Sequence, residues 1–278
     1  MKLIKCALGL LSVLSLASCQ SSRSGTSTGT PFVSFALSGS AQSATVAQLI
    51  KHSPIYGIFF PSALAASPAS VTDSRGVTIT LNQFWATTGS VEFKAEESKS
   101  MSEVDGAETS FEGPFTVDLL QSNVATLGAS NIPTSTIRRI KIRLRRTAAL
   151  PATAPAGLSG KSMYVSGSVS GNTFVFVTQD EPTLEISGSK AVVASNGDSL
   201  LLQIQTANFF KQIDLSLITM STSISESNRI PTSGSACPHI NASAADLYTC
   251  FHDGFNAAAN LGRDKGDHEL MPSDSTLK

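Results

Sequence analysis

The chain is poor in charge, in aromatic rings and in cysteine. Charged side chains make up 15% of its 278 residues and aromatic ones 6%, with four cysteines and a single tryptophan. Its 20 Lys+Arg against 21 Asp+Glu give a formal charge of −1, so the global basicity that marks nucleic-acid binders is missing and no nucleic-acid partner is expected. No apolar run reaches the ~20 residues that a membrane-spanning helix needs. Catalytic signatures are missing too: there is no HExxH, no CxxCH for covalent haem, and no serine elbow. The nearest elbow, Gly167-Ser168-Val169-Ser170-Gly171, carries Val169 where the nucleophile belongs. A stretch ending Ser159-Gly160-Lys161-Ser162 resembles a phosphate loop, but Pro155 replaces its first glycine and removes a backbone donor. It reads as a loop leading into a strand. No catalytic residue and no cofactor are assigned.

What is present begins at the N-terminus. Lys2 and Lys5 precede an apolar run, Cys6–Ala17, that is too short to span a bilayer and has the form of a signal peptide. It ends in Leu16-Ala17-Ser18-Cys19, which resembles the lipobox of bacterial lipoproteins. That resemblance implies removal of residues 1–18 and acylation of the Cys19 thiol. Each buried CH₂ contributes about 0.8 kcal/mol, so two or three palmitate-like chains make a lasting membrane anchor. Gln20 stands where an aspartate would favour inner-membrane retention, so the expected location is the outer membrane, on its periplasmic or extracellular face. Cleavage removes two cations, leaving 18 against 21 acids, a formal charge of −3. An exported chain meets little ATP, GTP or nicotinamide, which again argues against a cofactor.

Gln20–Thr30 is rich in Ser, Thr and Gly without an apolar residue, so residues 19–30 read as a flexible tether. A first strand is expected at Phe32–Leu37, then an irregular stretch with an apolar knot at Ile55–Phe60. Period-two alternation follows at Val77, Ile79 and Leu81, at Val91 and Phe93, at Phe115, Val117 and Leu119, and at Ile140, Ile142 and Leu144. Met163, Val165 and Phe174–Val177 extend it, with a turn at Gly171-Asn172. Asn196-Gly197 predicts a hairpin joining Ala191–Ala194 to Leu200, Leu202 and Ile204. Such a series predicts a mostly β chain, an antiparallel sandwich over residues 31–225. Residues 226–278 read as an extension with one helix. Ser243 and Asp246 resemble a capping box, Leu247, Cys250, Phe251, Gly254, Phe255 and Ala258 share a face, and Gly262 ends the pattern.

From about Val77 to Leu215 the chain resembles an uncharacterised family of bacterial envelope lipoproteins. The matching pieces are VTITLNQFWATTGSVEFKAEE, FEGPFTVDLL at Phe111–Leu120, TIRRIKIRLRR, and GKSMYVSGSVSGNTFVFVTQDE at Gly160–Glu181. The resemblance implies a transthyretin- or immunoglobulin-like β-sandwich on a lipid tether, and carries no known activity or catalytic residue.

Two constellations carry chemistry. Arg139, Lys141, Arg143 and Arg145 alternate with apolar residues, so a strand sets four cations on one face about 7 Å apart, where they repel unless neutralised. The neutraliser is either the acidic segment upstream (Glu92, Glu96, Glu97, Glu103, Asp105, Glu108, Glu112) or an anionic partner such as lipopolysaccharide phosphate or an acidic glycan. Cys237 and Cys250, the other two cysteines of the mature chain, form an even pair that predicts a disulfide in an oxidising compartment. The rival reading adds His239 and His252 to the two thiolates as a zinc or copper(I) site, although Cys250 and His252 are ~200° apart on a helix. Asp264, Asp267, Glu269 and Asp274 depart from calcium-loop spacing and read as a solvated tail.

The expectation is therefore a non-enzymatic, membrane-anchored binding or structural module for an envelope glycan or protein. A periplasmic metal-handling protein is the alternative, and a hydrolase built from scattered residues the third.

Overall fold

The computed structural model describes residues 31–40, 68–95, 108–121, 124–132, 136–238 and 240–263. The signal segment, the tether, Ile55–Phe60, the tail Asp264–Asp274 and His239 lie outside them.

The described chain is mostly strand, with a short helix near its C-terminal end as expected. In order come β1 (Phe32–Ser40), β2 (Ala69–Thr72), β3 (Thr78–Ala95), β4 (Glu108–Asp118), β5 (Val124–Asn131), β6 (Thr136–Leu144), β7 (Met163–Val169), β8 (Asn172–Thr178), β9 (Thr183–Val193) and β10 (Ser199–Gln205). Helix α1 (Thr206–Phe210), β11 (Thr222–Ile224), α2 (Leu247–Ala258) and β12 (Ala259–Arg263) complete the series. Two open sheets result. The smaller runs β12-β10-β1-β5; the larger runs β11-β8-β7-β3-β6-β9, with β2 and β4 also pairing β3.

Strand β3 is the spine of the larger sheet. Its first half pairs with β7 on one edge and β2 on the other, its second half with β6 and β4. Thr87 marks the joint: its N–H donates to the Ser162 carbonyl (2.9 Å), and its own carbonyl accepts the Arg145 N–H (3.0 Å). Strands β6 and β7 therefore form one row beside β3, interrupted by the excursion Arg146–Lys161. The next row repeats the design, because Thr183 of β9 faces Arg143 and Thr178 of β8 faces Met163, with only Gln179–Pro182 between. The excursion closes on itself through the Thr147–Lys161 bridge and packs back with Leu158 fully buried, the compact loop expected before β7.

Sequence alternation suggested separate strands around Val77–Leu81 and Val91–Phe93. They are one strand whose register shifts between Leu81 and Gln83 and again between Thr88 and Ser90. Each irregularity adds a residue and flips the parity, so the positions that join the hydrophobic core run odd (Ile79, Leu81), even (Phe84, Ala86) and odd again (Val91, Phe93).

The sheets are not wholly antiparallel, as had been expected: β1 pairs parallel to β10, and β8 parallel to β11. Asn196-Gly197 is the cause of the first exception. It is no hairpin, since β9 and β10 belong to different sheets. Gly197 alone is left-handed (φ 89°), whereas the tight hairpin turn expected from this dipeptide needs both central residues so. The turn instead docks on β1: Phe32 N–H donates to the Asn196 side chain (3.1 Å) and Gly197 N–H to the Phe32 carbonyl (2.8 Å). The β7–β8 turn is a true hairpin, but centred one residue earlier than expected, on Ser170 (φ 50°) and Gly171 (φ 83°), with Val169 opposite Asn172.

One core serves both sheets and the C-terminal segment. Opposite the second half of β3 stands the smaller sheet, joined by Phe35 to Phe93 (4.2 Å between ring centres) and to Phe111 (4.9 Å). The first half is covered by helices: Phe84 meets Phe209 (5.0 Å), Phe209 meets Phe251 (5.9 Å), and Phe251 stacks on Phe176 (4.5 Å). On α2 every residue of the expected apolar face is buried. Its cap is Asp246, which accepts the Thr249 N–H (2.7 Å), rather than Ser243, whose hydroxyl donates to Asn241 (2.8 Å). Gly262 does not end the helix; it lies in β12, which follows α2 directly and pairs with β10.

Candidate functional site

The outward face of β6 bears the cationic row. Ile140, Ile142 and Leu144 are fully buried, so the alternate positions Arg139, Lys141, Arg143 and Arg145 turn away from the core, as their spacing predicted. The sheet supplies carboxylates to part of the row. Arg139 is ion-paired with Glu185 of β9 (Nε to Oε1 2.6 Å) and donates to it from Nη2 (2.8 Å to Oε2), and Lys141 sits in register between Glu92 on β3 and Glu185. Just past the strand, Arg146 donates from its backbone N–H (3.0 Å) and Nε (3.3 Å) to Glu181. That backbone bond is the main cause holding the Glu181 carboxyl below its usual range, with burial opposing and the charges of Arg146 and Arg143 assisting.

Arg143 and Arg145 differ. Both are exposed and neither forms a salt bridge among the described residues. The cross-strand neighbours of Arg143 are hydroxyls, Ser90 on β3 and Thr183 on β9. The stem of Arg145 lies on Gly89: a Cβ there would come within 2.9 Å of Arg145 Cβ and Cδ. The upstream acidic segment expected to neutralise the row contributes Glu92 within this register, while Glu96, Glu97, Glu103 and Asp105 lie outside the described residues. The main counter-ions, Glu181 and Glu185, come from downstream. Sequence separation hid them, because β9 joins β6 only through the topology.

The second constellation is a disulfide. Cys237 and Cys250 are bonded with Cα atoms 5.5 Å apart, both fully buried, tying the segment before α2 to the helix. The bond occupies both sulfurs, so neither is available as a thiolate to the alternative metal set with His239 and His252. His252 Nδ1 lies 2.9 Å from Asp253. Among the described residues no three His, Cys, Asp or Glu side chains gather as a metal site.

No protein-family model, curated protein or solved structure matches the chain.

Sequence reading missed a polar cluster at the break between β8 and β9. The Tyr248 hydroxyl of α2 donates to Asp180 (2.5 Å) and lies 2.7 Å from the Thr178 hydroxyl, while Arg229 sits over its ring at 4.4 Å. Ser162, at the β7 end of the excursion, donates to the Asp180 carbonyl (2.5 Å). Glu226 accepts the Gln179 N–H; burial raises its carboxyl, but that bond, with the hydroxyls of Thr178 and Tyr248, leaves it below the ordinary range. These residues are scattered through the sequence from Ser162 to Tyr248, and no motif announces them. The cluster fastens α2 to the kink in the larger sheet. Among the described residues, no helix is long and apolar enough to cross a membrane.

Proposed function

We propose that the chain is an exported lipoprotein, acylated on Cys19 and held at the outer membrane. There it displays a non-enzymatic sandwich, of transthyretin- or immunoglobulin-like kind, as a binding or structural module of the cell envelope. Its partner is an anionic glycan or another envelope component, met by the outward face of β6. The observation that carries this reading is the cationic row itself, on which the sheet answers Arg139 and Arg146 with carboxylates and leaves Arg143 and Arg145 exposed. The lipobox-like Leu16–Cys19 supports the anchor, and the Cys237–Cys250 disulfide supports an oxidising compartment.

Reversing Arg139, Arg143 and Arg145 to Glu tests the binding face. The wild-type chain is expected to be retained on immobilised lipopolysaccharide or acidic polysaccharide and to elute with rising salt, and the reversed chain to pass through while still unfolding cooperatively on heating. Equal retention of the two chains would remove β6 from the account.

A further inference from the structure

We infer that the anion taken by this face is a phosphorylated sugar, and that its phosphates are gripped by Arg143 and Arg145 alone, not by the whole row. The inference rests on the envelope-binding reading above and narrows it. Arg139 already donates to Glu185 and is ion-paired with it, and Lys141 stands between two glutamates, so an incoming anion would have to displace a carboxylate to reach either. Among the described residues Arg143 and Arg145 form no salt bridge, and Glu181, the carboxylate that feels the charge of Arg143, is held by Arg146. Residues two apart on a strand present their side chains about 7 Å apart on one face, which suits two anionic groups on a single ligand.

The surroundings favour phosphate over carboxylate. A guanidinium forks onto two oxygens of either group, but only a phosphate has further oxygens to offer, and the hydroxyls of Ser90 and Thr183, in register with Arg143, are donors for them. Gly89 positions the second guanidinium. Without a side chain at that point, the Arg145 stem lies flat on the backbone of β3, and any larger residue would lift it. Glu181 is engaged by the Arg146 backbone and Nε.

Calorimetric titration of the full chain in detergent tests this with three probes: inorganic phosphate, a glucosamine disaccharide phosphorylated at both ends, and polygalacturonate. The bisphosphorylated disaccharide should bind tightest and free phosphate measurably less well. R143Q/R145Q should weaken disaccharide binding by roughly a hundredfold, about tenfold for each charge-assisted bond lost, whereas R139Q should stay within about threefold of wild type. Gly89→Ala should weaken binding with no change of charge, and thermal unfolding of each variant confirms that it is folded. Three outcomes overturn the inference alone: wild-type affinity in R143Q/R145Q, loss confined to R139Q, or polygalacturonate bound tighter than the disaccharide. A wild-type chain that binds none of the three probes overturns the broader reading with it.

Discussion

Tyr248 ties the C-terminal segment to the break between β8 and β9. Its ring lies between Phe176 (5.6 Å) and the Arg229 guanidinium, and its hydroxyl reaches across to the strand break at Asp180. Burial, and then the bond to Asp180, push its pKa well above the ordinary 10.0. A folded-state pKa above the unfolded one adds stability that is intact below the unfolded value and is lost as pH rises past it toward the folded value. Tyr248→Phe keeps the ring and removes the hydroxyl. At neutral pH it should cost about 1–2 kcal/mol, and it should flatten the decline in stability that the wild type shows over about pH 9–11. Denaturant titrations at a series of pH values measure both, and an alkaline slope unchanged by the substitution would show that another group controls it. Nothing around Tyr248 in sequence marked this role. Its partners Thr178 and Asp180 are about 70 positions away and meet it only because the row β8–β9 breaks where α2 crosses.

At the scale of elements, legibility follows how local the determinant is. Strand β6 and helix α2 announce themselves because Ile140, Ile142 and Leu144 alternate and Leu247, Cys250, Phe251, Gly254, Phe255 and Ala258 share a helical face, and both sets lie in the core. Strand β3 reads as fragments because two irregularities reset its alternation. Asn196-Gly197 was misread because a dipeptide reports local backbone preference, while the neighbour chosen by β10 is set by the bonds from this turn to Phe32 and Ser34. The disulfide was legible from compartment and parity alone. It encloses a loop with a sequence separation of 13, for which chain entropy gives about 3 kcal/mol. Cys237→Ala with Cys250→Ala should therefore lower the unfolding free energy by about that amount without dismantling the larger sheet. Urea titration monitored at Trp85, which pairs with Asp118 and Tyr164 far from the disulfide in sequence, provides the measurement. A loss well under 1 kcal/mol would mean that the aromatic contacts of α2 hold the segment unaided.

At the scale of the whole molecule, the two sheets diverge in what covers them. The second half of β3 faces the smaller sheet and the first half faces α1 and α2, so residues after Ser225 complete the core. The start of β1 lies beside Asn131, Asn196 and Gly197. The mass of the intact chain, produced in the envelope of a bacterial host and measured without reduction, tests the central claim most directly. The account predicts the mass of Cys19–Lys278 carrying acyl chains and lacking two hydrogens for the Cys237–Cys250 bond. A chain that keeps residues 1–18, or begins at an unmodified Cys19, would contradict it.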